Sequence, residues 1–254
     1  MKKYLLILFC CALWSPLFAQ MTVAAAASMQ NALKEMQTVF SKETNKTFGT
    51  VYGASGKLTA QIKSGAPFDV FMSADMAFPE SLAVAKLTDG KPVVYARGTI
   101  VLWSLKIEDV SDYKKVLLDS ACKKIALADP RTAPYGKAAV AFLQNENLWG
   151  AIENKIVYGD NVSQTAQYIL TGSVDVGITA KSLAVAPEAA HKGHWVELPA
   201  AEYPPVDHGM VILLHGNNNN PGECKAFVDF VLSEKGRKIL EHCGFTGVKK
   251  GQEP

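Results

Sequence analysis

Charge of one sign is scarce in this sequence: 26 Lys and Arg stand against 24 Asp and Glu over 254 residues. A chain so near neutrality has no broad field with which to hold nucleic acid or an acidic membrane surface. One small anion needs only a local site, so an anionic ligand is not excluded. Long apolar runs are also scarce. One lies at the N-terminus, from Leu5 to Trp14, after Lys2 and Lys3 and before a small residue at Ala19. At about ten residues it is too short to span a bilayer. It reads as a secretory leader over residues 1–20, which sends the mature protein to the periplasm. Cys10 and Cys11 lie inside that run without a clean lipobox, so no lipid anchor is expected.

Cysteine is sparse, with five in all. Outside the leader only Cys122, Cys224 and Cys243 remain, and their spacing is not that of a metal site. In an oxidising compartment Cys224 and Cys243 either pair, stapling two C-terminal helices, or stay as thiols. Catalytic signatures are missing too. Gly53 to Lys57 has the look of a phosphate loop, but Leu58 stands where Ser or Thr is required and Val51 where the first Gly belongs. Ser55 is not in a nucleophile elbow, because Lys57 replaces the last Gly. His191 and His194 lack further clustered ligands, and His208 reads as structural. The aromatic residues read as packing rather than as a platform for bases. Neither an enzyme, a cofactor nor a directly bound metal is expected.

What is present is 48% hydrophobic residues in short runs that alternate with helical periods, the pattern of α/β layers. Strands are expected at 22–26, 47–52, 69–72, 93–95, 100–103, 124–128, 156–158, 174–178 and 208–214. Helices are expected at 30–41, 58–63, 77–86, 136–145, 163–170, 221–232 and 234–243, with 217–220 a polar turn. The order implies two lobes: 21–97 plus 206–254, and 98–205. Two crossings, near 95–99 and 204–208, would form a hinge beside an interlobe cleft.

Four places share one design, a strand that ends in small or polar residues just before a helix. They are Ala24 to Ser28, Gly53 to Gly56, Asp129 to Gly136, and Gly159 to Val162. A helix N-terminus offers free N–H groups and partial positive charge, and so attracts anions without a formal cation. Ser28 and Ser55 add hydroxyl donors. Singly, each serine is equally a helix N-cap. Asp69, Asp75, Asp129 and Asp160 lie near these turns and would suit a protonated anion; Asp69 and Asp75, flanking a buried strand, read as structural.

These motifs carry a resemblance: A-A-A-S at 25–28, G-A-S-G-K-L at 53–58, Q-I-K-S-G-A-P-F-D-V-F-M-S-A-D at 61–75, D-P-x-x-x-P-x-G at 129–136 and G-D-N-V at 159–162. The chain resembles the periplasmic molybdate-binding proteins of ABC transporters, a type II periplasmic-binding-protein family, over nearly its whole mature length. The resemblance implies a two-lobed α/β fold, each lobe a mixed sheet flanked by helices, with the ligand cleft between. It implies a monomer that captures molybdate or tungstate and delivers it to a membrane permease, with a related protein for another oxyanion as the alternative. Carried over by position, Ser28 and Ser55 would each give a hydroxyl and a backbone N–H, and Tyr135 and Val162 a backbone N–H. One departure is plain: many family members place a ligand tyrosine where this chain has Ala180. Tyr135, Thr179 or Lys181 would then have to compensate.

Overall fold

The computed structural model describes residues 20–247. All of the expected leader except Gln20 therefore lies outside the described residues, Cys10 and Cys11 included. The first sheet starts with β1 (Met21–Ala26), which leads through a single 3-10 turn into α1 (Gln30–Thr44). There follow β2 (Phe48–Gly53), α2 (Ser55–Lys63), β3 (Val70–Met72), α3 (Ala77–Val84) and β4 (Thr88–Gly98). The chain then crosses to a second sheet. Its elements are β5 (Ile100–Ser104), α4 (Tyr113–Leu118), β6 (Ile125–Ala128), α5 (Pro134–Asn145), α6 (Trp149–Ile152), β7 (Ile156–Gly159), α7 (Val162–Leu170), β8 (Val176–Ala180), α8 (Lys181–Ala184) and β9 (His194–Glu197). It returns as β10 (Val206–Leu213), followed by α9 (Leu214–Asn219), α10 (Pro221–Leu232) and α11 (Glu234–His242).

The sheets have the same plan. Their strand orders are β2-β1-β3-β10-β4 and β7-β6-β8-β5-β9. In each, three parallel strands are extended by two antiparallel ones. Parallel strands covered by helices on both faces read as continuous apolar runs, and β3 and β6 are buried throughout. Phe40, Phe48, Phe227 and Phe230 pack edge to face at 4.7–6.0 Å beneath the first sheet. Trp103 and Phe142 anchor the core of the second.

Two expectations need correction, and one open alternative is decided. First, β4 begins at Thr88, five residues ahead of the expected start. Gly90 and Pro92 suggest a turn, but β4 is the outer strand of its sheet, where both residues are tolerated. Second, the polar stretch at 217–220 is mostly helical, as the end of α9. The buried Asp69 carboxylate lies 3.1 Å from His215 Nδ1 and accepts from Asn220 at the same distance. A Cβ on Gly216 would stand 2.4 Å from the Asp69 carbonyl oxygen. Tertiary contact there overrides weak helix propensity. Of the two alternatives for Cys224 and Cys243, the structure has free buried thiols. Cys224 packs toward Gly216, whereas Cys243 Sγ points at Glu35 on α1.

Candidate functional site

Strand register sets the site. Ala26 pairs with Gly53 at the ends of β1 and β2, and Ala128 with Gly159 at the ends of β6 and β7. The turns that follow therefore emerge side by side in each lobe, at the carboxyl ends of parallel strands, the usual place for ligands in α/β sheets. The two pairs of turns face each other. Ser28, Ser55, Tyr135 and Val162 line one tight cavity of about 10 Å³, together with Ala74, Asn161 and other small residues. A space that tight excludes a sugar or a nucleotide.

The serines are not N-caps. The residue at the N-cap of α2 is Ala54, and that of α5 is Ala133; neither offers a side-chain acceptor. Ser28 sits within the 3-10 turn Ala27–Met29, whose N-cap is Ala26. First-turn amides at these ends are thus left without a capping side chain, a natural setting for an outside anion. Asn161 does cap α7, but its oxygen serves Ser163 and Gln164, not Val162. The Ser55 hydroxyl oxygen accepts from the Ala74 amide at 3.0 Å, so its own hydrogen is free to donate. The Ser28 hydroxyl is buried and has no hydrogen-bond partner apart from the Tyr135 phenol.

Neither an acid nor a base lines the cavity. Asp69 is structural: it accepts from the Thr22 amide at 2.6 Å. Asp75 accepts from Ser73 and from the Phe78 amide. Burial raises its pKa, an effect these bonds only partly offset. Asp129 pairs with Arg131, whose hydrogen bond holds its carboxyl below the usual range. Asp160 pairs with Lys57 at 2.9 Å across the lobes. The lobes also meet through main-chain groups. The Gly56 amide donates to the Thr132 carbonyl at 2.9 Å, and the Ser182 hydroxyl to the Ser28 carbonyl at 2.8 Å. A Cβ on Gly56 would come within 3.1 Å of Thr132, so glycine allows this approach.

Of the residues expected to compensate at the Ala180 position, Tyr135 lines the cavity, whereas Thr179 and Lys181 do not. Ala180 is buried and precedes α8. Thr179 donates its hydroxyl to the Val162 carbonyl at 3.1 Å, holding the start of α7 from behind. Lys181 pairs with Glu197. The Tyr135 phenol runs instead to His208, 3.1 Å away. Sequence reasoning missed the Ala74 amide, whose identity leaves no trace in residue type, and Tyr95, whose hydroxyl meets the other nitrogen of His208. Among the described residues one group of possible metal donors gathers, Glu35, His242 and Cys243 within 4.8 Å. It borders a different groove.

Comparison with known proteins gives the family and the fold. Residues 21–246 match the family model described as bacterial extracellular solute-binding protein. A molybdate-binding protein ModA from Azotobacter vinelandii is 34% identical over 228 residues, 89% of this chain and 90% of that one. A protein of the same name from Rhodobacter capsulatus is 32% identical, covering 89% and 88%. The solved periplasmic molybdate-binding protein of Azotobacter vinelandii superposes with a TM-score of 0.85 at 28% identity, covering 91% of this chain and all of that one.

Proposed function

The chain belongs to the bacterial extracellular solute-binding proteins, and from that premise we propose that it is a molybdate-binding protein serving an ABC transporter. It is a carrier, not an enzyme. The observation that carries the ligand class is the cavity itself: four strand-to-helix turns face one another around one tight space with donors and no carboxylate. A site that can only donate suits an anion with no proton of its own. Molybdate and tungstate are such anions near neutral pH, whereas phosphate, partly protonated, would need an acceptor.

The donors are the Ser28 and Ser55 hydroxyls and the amides of Ser28, Ser55, Tyr135 and Val162. Two lobes, 21–97 plus 206–254 and 98–205, close on the ion about the crossings near residues 95–99 and 204–208. The protein acts in the periplasm after losing residues 1–20, as a monomer, and hands the ion to the membrane permease. Titration calorimetry with molybdate, tungstate, sulfate and phosphate tests this. Heat and thermal stabilisation are expected with the first two. A clear preference for phosphate, or silence with all four, would refute it.

A further inference from the structure

Three ring side chains lie in a row where the lobes join. The Tyr95 hydroxyl is 3.2 Å from His208 Nδ1, and the Tyr135 hydroxyl is 3.1 Å from His208 Nε2. They come from β4, β10 and α5, and all three are buried. Phe245 packs edge-on against the imidazole at 5.1 Å. Gly98 makes the arrangement possible, since a Cβ there would stand 2.0 Å from the Tyr135 hydroxyl oxygen. We propose that Tyr95, His208 and Tyr135 form a one-way hydrogen-bond relay that holds the Ser28 hydroxyl as a donor to the bound oxyanion. The inference rests on the reading of the cavity as an oxyanion site.

Proton counting carries it. Burial, with no charged partner beside the ring, keeps His208 neutral. A neutral imidazole has one N–H and one bare nitrogen, so one tyrosine donates to the ring and the other accepts from it. Suppose Nδ1 holds the proton. The Tyr95 oxygen then receives it, and the Tyr95 proton is left with no acceptor among the described residues. Tyr135 donates to Nε2, and its oxygen is open to the Ser28 proton, drawing that proton out of the cavity.

Suppose instead that Nε2 holds the proton. Tyr95 donates to Nδ1, Nε2 donates to the Tyr135 oxygen, and the Tyr135 proton turns toward Ser28. The two residues line the same cavity, and the Ser28 hydroxyl is otherwise unpartnered. The unplaced proton is now that of Ser28, and it faces the cavity. Each arrangement thus leaves one proton unplaced, deep inside a lobe in the first and at the anion site in the second. A buried unsatisfied hydroxyl is expensive, and an oxyanion can satisfy only the second, so ligand binding selects the Nε2–H form. Ser55 shows the same logic in fixed form: its oxygen is held by the Ala74 amide, a donor that cannot reverse. With both serine oxygens engaged as acceptors, the proton of a partly protonated anion finds nothing to receive it.

The direct test is the imidazole tautomer, read by long-range ¹H–¹⁵N correlation on protein saturated with molybdate. The Nε2–H form is expected; the Nδ1–H form or an imidazolium would overturn the relay. Calorimetry on two variants adds a second readout. Tyr135→Phe is expected to weaken molybdate binding about 10- to 100-fold and to narrow the preference for molybdate over phosphate. Tyr95→Phe, one step further out, is expected to lose less than about threefold. Equal losses in the two variants, tracking their melting temperatures, or an unchanged preference would mean packing alone and would overturn the relay. Failure of the unmodified protein to bind molybdate would overturn the oxyanion reading and the relay with it, a result distinct from retained binding with the wrong tautomer.

Discussion

In one sheet the first two parallel strands run into turns that carry Ser28 and Ser55; in the other, the equivalent strands run into turns that carry Tyr135 and Val162. The backbone plan is shared and the chemistry is not. On the proposed donor set, one lobe gives the ion hydroxyls as well as amides. The other would give amides alone, with its side chains off the ion: the Tyr135 phenol meets His208, and Val162 is buried. An amide is placed by the main chain and tolerates many residue types, whereas a hydroxyl depends on the residue. The difference predicts which lobe is sensitive to substitution.

The largest expected effect comes from Ser28→Ala combined with Ser55→Ala. Each lost charge-assisted hydrogen bond is worth roughly 1.5–3 kcal/mol, so molybdate affinity should fall about 10²- to 10⁴-fold by calorimetry while circular dichroism stays native. Val162→Ala, on the amide side, should shift affinity by less than about threefold. A comparable loss in Val162→Ala would erase the distinction between hydroxyl and amide donors.

Two glycines sharpen it. A Cβ on Gly136 would stand 2.1 Å from the Ala128 carbonyl oxygen within one lobe, so Gly136→Ala should lower unfolding free energy by roughly 1–3 kcal/mol in urea titration. A Cβ on Gly56 would press on Thr132 in the other lobe. Gly56→Ala should therefore weaken ligand binding more than it weakens the fold, and the reverse result would place the strain elsewhere.

The pH response follows from His208. Burial pushes its pKa from 6.5 to about 3, so the unfolded chain binds a proton that the folded one refuses. Its contribution is intact above about pH 6.5 and is lost as pH falls toward 3, by about 2 kcal/mol between pH 7 and pH 5. Thermal melts should show this slope, and His208→Gln should flatten it. The smallest effect belongs to the exposed rim pair. Lys57→Ala should change stability by less than about 1 kcal/mol, and a larger loss in the same melts would give that ion pair a role the geometry does not suggest.

The sequence was readable where residue type and local pattern carry the chemistry. Ser28 and Ser55 stood out because hydroxyls follow strands and precede helices. Tyr135 and Val162 came only through family likeness, since an amide donor leaves no mark on the residue that bears it. The first five residues of β4 were not legible, since Gly90 and Pro92 are rare in strands and are tolerated here because β4 is the outer one. The polar end of α9 looked like a turn because Asp69, which holds it, is 146 residues away from His215. The partners of His208 were invisible for the same reason, lying 73 and 113 residues distant. Cys224 and Cys243 look pairable on a hairpin of helices, but neither their facing nor their neighbours can be read from spacing.

The Gly56 amide and the Thr132 carbonyl clasp the two lobes with atoms every residue possesses. Substitution at Thr132 cannot delete its carbonyl, so the clasp is indifferent to composition there. It is vulnerable to arithmetic instead. One residue inserted between Gly53 and Gly56, or between Asp129 and Thr132, would carry donor and acceptor out of step. This part of the molecule is encoded as loop length, and lineages that drift in every rim side chain can keep it so long as they keep count.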